Sequence, residues 1–280
     1  MPRNRTKTVA IAAVALVACL ALAGCTASSS SATGSSKSTL SDVIKSKTLK
    51  VGMVLSLPPM ESTNSSGKAV GFDVDLAQEL ADSLGAKLDV VPLTTDNRIA
   101  AVQTGKVDVL FSAPAITLQR AQTVNFTNPY IAAGTALVVK ASSGISTEGA
   151  MNGKNVGVLK GTIHPQIASS VWPKSAQTNF ESATDEITAL KNGSVAGFLA
   201  DGNSAAYYAK KDPSLAVINL PASQAAVEYD GLAIAQGDST WQTYLNTFLE
   251  VGEADGSTKT LYKKWFGSSP AYHPEYWLNK

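Results

Sequence analysis

Residues 49–55 (LKVGMVL) and 71–84 (GFDVDLAQELADSL) set the pattern that decides the fold. The first segment is a short apolar run between polar residues, which is typical of a buried strand. In the second, an apolar residue recurs at every fourth position, at Phe72, Leu76, Leu80 and Leu84. This spacing predicts a helix with one buried face. Two aspartates in its first turn suit the helix dipole, and Gly85 is expected to end it.

The alternation of strand and helix continues along the chain. Residues 88–91 form a second predicted strand, 99–104 a helix that stops at Gly105, and 107–111 a third strand. This order predicts an α/β fold with a parallel, doubly wound sheet.

A weaker copy of this unit follows. Residues 155–159 match the first strand, and residues 187–199 match the helix, glycine and strand around Gly105. Aligning Gly193 with Gly105 places Asp201 on Ala113. Glycine-stopped helices are common in α/β proteins, so the match alone leaves duplication open. With the chain length it favours two similar lobes, and a site between them at the carboxyl ends of the strands.

Composition excludes several classes of function. The 280 residues carry 23 Lys and Arg against 22 Asp and Glu, so no concentrated positive charge favours nucleic acid. Only two histidines, His164 and His273, are present, and no spacing indicates a catalytic triad or a metal site. We expect no catalytic residue, no metal and no cofactor.

The N-terminus has the pattern of an export signal. Basic residues precede an apolar run at 9–23, which is shorter than the ~20 residues of a membrane-spanning helix. The run ends in Leu22-Ala23-Gly24-Cys25, which resembles the lipobox of bacterial lipoproteins. That resemblance implies cleavage before Cys25 and acylation there, with anchoring to the outer face of the cell membrane. A plain secretory signal with a chance cysteine, or an uncleaved anchor, is the alternative.

These features set the outer boundaries. Residues 1–24 are predicted to be the lipoprotein signal peptide and 25–40 a flexible tether rich in Ser, Thr, Gly and Ala. Both cysteines, Cys19 and Cys25, lie in this region, so the rest of the chain has no disulfide or cysteine-based site.

Arg120 is a candidate anion ligand. If Thr117 caps the helix that follows, Arg120 falls in its first turn, where the helix end is already partly positive. An anion held by Arg120, the Ser112 hydroxyl and backbone N–H groups would resolve this conflict. The alternative is a solvated arginine paired with a surface carboxylate.

Six segments resemble family 3 extracellular solute-binding proteins, in family order, over about residues 49–267. They are residues 71–77, 103–109, 116–121, 126–130, 157–162 and 261–267. The resemblance implies a two-lobed, type II periplasmic-binding-protein-like fold. Each lobe would be a mostly parallel sheet flanked by helices, and two crossover strands, near 135–140 and 227–233, would join them. We assign residues 41–136 and 231–280 to lobe 1, and 137–230 to lobe 2.

The resemblance also assigns ligand contacts. Arg120 would clamp an α-carboxylate with help from Ser112 and the adjoining Ala113, while Thr162 adds a hydroxyl and an N–H from the second lobe. Asp201 would take the α-ammonium, although an acid before glycine is also a common turn pair.

The side-chain pocket departs from relatives that bind basic amino acids. Val54 and Leu57 stand where those relatives often have an acid and an aromatic, so a buried cation would lack a partner. Thr95 and Arg98 resemble relatives whose arginine meets an acidic or polar side chain; alternatively, Arg98 pairs with its own helix through Asp96. The remaining lining residues are Met60 and Ile163, which make the pocket more apolar. A polar or acidic amino acid is favoured, and an apolar one or a derivative stays open.

The expected function is capture of an amino acid by an extracytoplasmic, monomeric binding protein that serves an ABC transporter permease. Two alternatives stay open. One is a sensory module for a membrane receptor, and the other is a dehydratase-like enzyme that uses a cleft carboxylate as general acid.

Overall fold

The computed structural model describes residues 38–267. The predicted signal peptide, Cys25 and most of the predicted tether lie outside this range, as do residues 268–280. Within the described range, no helix combines the length and apolar character needed to cross a bilayer.

Thirteen strands and nine α-helices are found in the described residues. The strands are β1 Thr48–Met53, β2 Ser56–Leu57, β3 Glu61–Thr63, β4 Ala69–Val70, β5 Lys87–Pro92, β6 Val109–Leu110, β7 Asn125–Ala133, β8 Thr135–Lys140, β9 Val156–Leu159, β10 Gln177–Phe180, β11 Gly197–Asp201, β12 Leu215–Asn219 and β13 Glu228–Ile234. The helices are α1 Thr39–Ser46, α2 Phe72–Ser83, α3 Arg98–Gln103, α4 Leu118–Ala121, α5 His164–Val171, α6 Ala183–Asn192, α7 Gly202–Lys211, α8 Ser239–Asp255 and α9 Ser257–Phe266.

The strands form two five-stranded sheets of matching design. Their orders are β5-β1-β6-β13-β7 and β10-β9-β11-β8-β12, and a small sheet, β2-β3-β4, accompanies the first. In each large sheet the first three strands run parallel, and the last two pair antiparallel. The expectation of mostly parallel sheets is confirmed, because four of the five strands in each sheet point the same way. Each sheet is mixed, because it contains a long strand next to a crossover, β13 or β8, that runs against its neighbours.

Lobe 1 shows how the sequence pattern becomes a core. The helix predicted from the four-residue spacing is α2, and its apolar face packs on β1 in one cluster with Leu49, Val51 and Met53. All three of those side chains are fully buried. Gly85, beyond the end of α2, has a φ of 57°, a left-handed conformation that glycine adopts without strain.

The chain passes between the two sheets twice. Ala133, the last residue of β7, pairs with Glu228 in the first sheet, while Thr135 pairs with Asp201 in the second. Only Gly134 separates them, so this crossover is a single residue. The second crossover lies between β12 and β13, in residues 220–227.

Sheet pairing shifts the predicted lobe boundaries slightly. Residues 135 and 136 were assigned to lobe 1 but pair within the second sheet, and residues 228–230 were assigned to lobe 2 but pair within the first. The apolar run of residues 130–139 continues across the first crossover, so hydrophobic pattern does not mark where the chain changes sheet there.

The predicted tether extends too far. Ser38 caps α1, which begins at Thr39, and the Ser38 hydroxyl and Thr39 N–H donate to the Asp238 carboxylate at 2.8 and 2.7 Å. Residues 38–40 therefore belong to the folded domain.

Candidate ligand-binding site

A cavity of about 610 Å³, including its open mouth, lies between the lobes at the carboxyl ends of β6 and β11. Its lobe 1 lining is Leu57, Met60, Arg98, Ser112, Ala113, Arg120, Glu228 and Asp230. Its lobe 2 lining is Leu159, Thr162, Ile163, His164, Ala183, Glu186, Leu199, Ala200, Asp201, Ser204 and Tyr208. Nine of the ten predicted ligand contacts are in these two sets.

Arg120 lies at the junction of the lobes. Thr117 caps α4, as predicted, by accepting a hydrogen bond from the Arg120 N–H at 3.1 Å. Nη1 of Arg120 donates to the Ala115 carbonyl and Nη2 to the Gly161 carbonyl of lobe 2, both at 2.8 Å. A guanidinium has five N–H donors, so donors are left for a ligand. Burial, followed by the nearby Arg98, lowers the Arg120 pKa to about 10, and the group is still a cation at neutral pH.

Arg98 reaches the same place from α3. It is only 3% exposed, and its Nη1 donates to the Ser112 carbonyl at 2.5 Å. Nη2 lies 3.4 Å from the Gly161 carbonyl. Its side chain thus turns into the cleft instead of pairing along its own helix. Two guanidiniums form a positive end of the cavity.

A strained loop supports this positive end. Ser112 and Ala113, which follow β6, have φ values of 72° and 40°, unusual for residues other than glycine. The Ser112 hydroxyl accepts the Val54 N–H at 2.7 Å, and the Ser112 N–H donates to Asp73 at 2.8 Å. Ser112 therefore ties β1, α2 and the loop together. Donation from its hydroxyl to a ligand stays a prediction.

Two carboxyls lie behind the loop. Glu61 and Asp73 are fully buried, and the Tyr130 hydroxyl donates to Asp73 at 3.0 Å. Burial raises the pKa of both carboxyls, and the charge of Asp73 raises that of Glu61 further, while Arg98 opposes this rise. From the sequence, Asp73 was predicted only to stabilise the helix dipole, and no role was predicted for Glu61.

Asp201 faces the positive end from lobe 2. It is the last residue of β11, and its Oδ1 accepts the Ser204 N–H at 3.0 Å, which caps α7. Burial raises its pKa, while its hydrogen bonds from Ser204 oppose the rise. Asp201 is thus both a helix cap and a carboxylate in the cavity.

Thr162 lines the cavity and Thr95 does not, and the ligand contacts assigned to both stay predictions. The Thr162 hydroxyl donates to the Leu159 carbonyl at 2.7 Å and accepts the His164 N–H at 3.2 Å, so its own turn uses it. Thr95 is buried but does not line the cavity. A Cβ placed on Gly161 would lie 2.2 Å from the Thr95 carbonyl oxygen, so Thr95 lies where the lobes meet.

The sequence analysis missed six polar cavity residues, His164, Glu186, Ser204, Tyr208, Glu228 and Asp230. Near the hinge, His164 Nε2 lies 3.6 Å from Glu228 Oε1, which also accepts the Thr135 hydroxyl at 2.9 Å. Burial acts to raise the Glu228 pKa, but His164, Thr135 and Arg120 outweigh it and lower the pKa. Glu186 had a usable signal, because it occupies the apolar face of α6 with Ala183, Ala189 and Leu190.

Within residues 38–267, no group of three or more metal-ligating side chains is placed to hold a metal ion.

Comparison with known proteins identifies the family. The sequence profile of the bacterial extracellular solute-binding proteins, family 3, matches residues 49–268. The chain belongs to this family.

Two relatives illustrate the similarity. The putative ABC transporter arginine-binding protein 2 of Escherichia coli is 31% identical over 79% of this chain and 91% of its own length. The ABC transporter glutamine-binding protein GlnH of Bacillus subtilis is 31% identical over 74% of this chain and 76% of its own.

Solved structures agree on the fold. An ancestral amino acid-binding protein, described as a precursor of cyclohexadienyl dehydratase, has a TM-score of 0.77 at 34% identity. A mutant of the Thermotoga maritima protein ArgBP has a TM-score of 0.76 at 31% identity. Each match covers 82% of this chain and all of the other chain. The predicted type II, two-lobed α/β fold is confirmed.

Proposed function

We propose that this protein captures an amino acid between its lobes and delivers it to an ABC importer. One observation carries the proposal. Arg98 and Arg120 on lobe 1 and Asp201 on lobe 2 line one cavity, so guanidinium groups from one lobe and a carboxyl group from the other can contact the same ligand. A free amino acid has the matching pair of charges one carbon apart.

This arrangement couples binding to closure. The ligand carboxylate would bind the guanidiniums, and its ammonium would bind Asp201 on the other lobe. Hydrogen bonds to charged groups contribute ~1.5–3 kcal/mol each. Micromolar affinity requires ~8 kcal/mol. Two or three contacts made only when the lobes close therefore suffice to favour the closed form.

The lining favours a polar side chain on the ligand. Four carboxyl residues line the cavity, namely Glu186, Asp201, Glu228 and Asp230, against two arginines. An acidic side chain would bring a further negative charge next to these carboxyl groups, so of the two expected classes, polar and acidic, we propose a polar side chain. The apolar patch of Leu57, Met60 and Ile163 accommodates the methylenes of a long polar side chain.

Delivery to an importer is supported by relatives named as ABC transporter binding proteins. The sequence pattern that ends at Cys25 supports an extracytoplasmic, lipid-anchored protein, and we propose that it acts as a monomer. A sensory role would use the same cleft. Deleting the gene and measuring uptake of the bound amino acid separates the two roles. Uptake should fall if the protein serves an importer, and it should stay unchanged if the protein serves only a receptor.

An enzymatic alternative rests on two observations. One structural relative is described as a dehydratase precursor, and a buried carboxyl, Glu186, lines the cavity. Incubation with a cyclohexadienol acid, followed by absorbance of an aromatic product, tests it. We propose binding without turnover, so no product is expected.

A thermal-shift screen tests amino-acid binding. A ligand that binds only the folded protein stabilises it by RT ln(1 + [L]/Kd). At least one of the twenty amino acids, at a hundred times its Kd, is expected to raise the free energy of unfolding by about 2.7 kcal/mol. No shift with any amino acid would contradict the proposal.

A further inference from the structure

Lobe 2 has a polar recess in the cavity wall between α6 and α7. It is formed by Glu186 from α6 and by Ser204 and Tyr208 from α7, and we call it the α6–α7 subsite. From lobe 1, Leu57 packs against the same hydrophobic cluster that contains Ala183 and Tyr208. The subsite is thus bounded by both lobes.

Glu186 has the features of a ligand group. It is 2% exposed, and its Oε1 has no hydrogen-bond partner among the described residues. Leaving a buried polar group unpaired costs ~1–3 kcal/mol, and more for a charged group. The other buried residues of α6 are Ala183, Ala189 and Leu190, so an apolar residue would fit this face better. A carboxyl retained in such a place is explained by a partner that arrives with the ligand.

We propose that the α6–α7 subsite binds a cationic group at the end of the ligand side chain, so that the protein selects basic amino acids. The inference rests on the proposed function, because Arg120 and Asp201 must already hold the α-carboxylate and α-ammonium. Glu186 is then the specificity-determining residue.

The carboxyl groups of the cavity support a cation. Four carboxyl residues line it, so carboxyl groups remain for a ligand cation after Asp201 has bound the α-ammonium. Burial raises the Glu186 pKa, and the charge of Asp185 raises it further, so the ionised carboxyl is disfavoured while no cation is near it. A ligand cation at the subsite would keep it ionised, since an opposite charge favours the charged form.

This inference revises the expectation drawn from Val54 and Leu57. Those positions lack the acid and aromatic that basic-amino-acid binders often have, which disfavoured a basic ligand. Glu186 supplies a carboxyl from the opposite lobe instead. The residues at these two positions therefore do not determine the charge of the ligand.

Calorimetry with arginine and citrulline tests the inference on the unaltered protein. The two molecules have similar size, but citrulline replaces the guanidinium with a neutral urea. We expect arginine, or lysine against norleucine, to bind at least about tenfold more tightly, which is the contribution of one charged hydrogen bond. Equal affinity within each pair, or tighter binding of the neutral member, would overturn the inference.

Glu186→Gln assigns the preference to this residue. The substitution keeps the shape and removes the charge, so arginine should bind about tenfold or more weakly while citrulline affinity changes less than about threefold. Asp185→Asn is the matched control. It removes a charge from the neighbouring exposed position, which does not line the cavity, so both affinities should stay within about threefold of those of the unaltered protein. An equal loss for arginine in both variants, or no loss in Glu186→Gln, would overturn the assignment.

The outcomes separate this inference from the proposed function. If the protein binds only neutral or acidic amino acids, the inference is wrong and amino-acid capture stands. If no amino acid binds, both are wrong. Should Glu186→Gln fail to fold, the arginine–citrulline comparison on the unaltered protein still decides the ligand class.

Discussion

Nη2 of Arg120, on lobe 1, donates a 2.8 Å hydrogen bond to the Gly161 carbonyl oxygen on lobe 2. Arg98 approaches the same carbonyl at 3.4 Å. Arg120, which we propose to bind the ligand carboxylate, is therefore also a contact between the lobes. When this bond is present, the lobes are closed at this edge of the cavity. Closing the lobes therefore also completes the site.

Gly161→Ala should weaken ligand binding by obstructing closure. The added Cβ would lie 2.2 Å from the Thr95 carbonyl oxygen on lobe 1, too close for any real contact. The substitution also places alanine at a φ of 70°. This strain costs ~1–2 kcal/mol of stability, and it acts within lobe 2 whether or not the lobes close. We expect at least a tenfold loss of affinity by calorimetry, and a larger radius of gyration with saturating ligand by X-ray scattering.

Gly153→Ala provides the matched control. Its φ is 73°, and nothing lies within 4 Å of its added Cβ. The two variants should lose similar stability, but only Gly161→Ala should lose affinity. Equal affinities would show that the Gly161–Thr95 approach does not control closure.

Arg120→Lys should bind poorly despite its positive charge. An ammonium cannot reproduce the planar fork that reaches the Ala115 and Gly161 carbonyls and a ligand carboxylate together. We predict a loss of at least about tenfold in affinity, with Arg120→Ala losing more. Circular dichroism should show the fold of both variants unchanged. If the Arg120→Lys variant bound the ligand as tightly as the unaltered protein, a bidentate clamp by Arg120 would be excluded.

Substitutions at Asp201 should separate its two roles. Asp201→Asn keeps an oxygen for the Ser204 N–H and loses the charge, so stability should hold while affinity falls about tenfold or more. Asp201→Ala loses the cap as well, at ~1 kcal/mol of stability. Chemical denaturation and calorimetry on both variants measure the two effects. An Asn variant with full affinity would exclude Asp201 as the ammonium ligand.

Glu186→Gln should stabilise the unliganded protein increasingly as pH rises. Burial raises the folded-state pKa of Glu186 above its usual 4.5, so the folded state holds its proton more tightly than the unfolded state. Stability from this group is full below pH 4.5 and is lost as pH rises through the folded pKa. Gln does not titrate, so its melting temperature relative to Glu should increase from pH 5 to pH 8. A constant difference would contradict the raised pKa.

Periodicity predicted the elements well where one face is buried. The spacing from Phe72 to Leu84 located α2, and residues 88–91 fall within β5. Glycine-stopped repeats correctly indicated two similar sheets and a site at their carboxyl ends. Arg120 was proposed first from its place in the first turn of a helix, and the resemblance to a family then assigned Arg120 and Asp201 to the two charges of an amino acid.

Strand pairing and the remaining polar residues of the cavity could not be predicted from periodicity. Nothing in residues 125–140 marks the change of sheet at Gly134, because both flanking strands are apolar. Glu186 and Asp230 come from distant segments and line the same cavity only after folding, so no local spacing connects them. Ser112 was predicted as a ligand group, but its hydrogen bonds to β1 and α2 depend on tertiary contacts.

The central claim is that a zwitterion bridges Arg120 and Asp201. Calorimetric titration of the best-bound amino acid, its methyl ester and its Nα-acetyl derivative tests it most directly. The ester lacks the negative charge for Arg120, and the acetyl derivative lacks the positive charge for Asp201. The account predicts micromolar or tighter binding of the free amino acid and at least a hundredfold weaker binding of both derivatives, about 2.7 kcal/mol or more. Either derivative binding as tightly as the parent would contradict it.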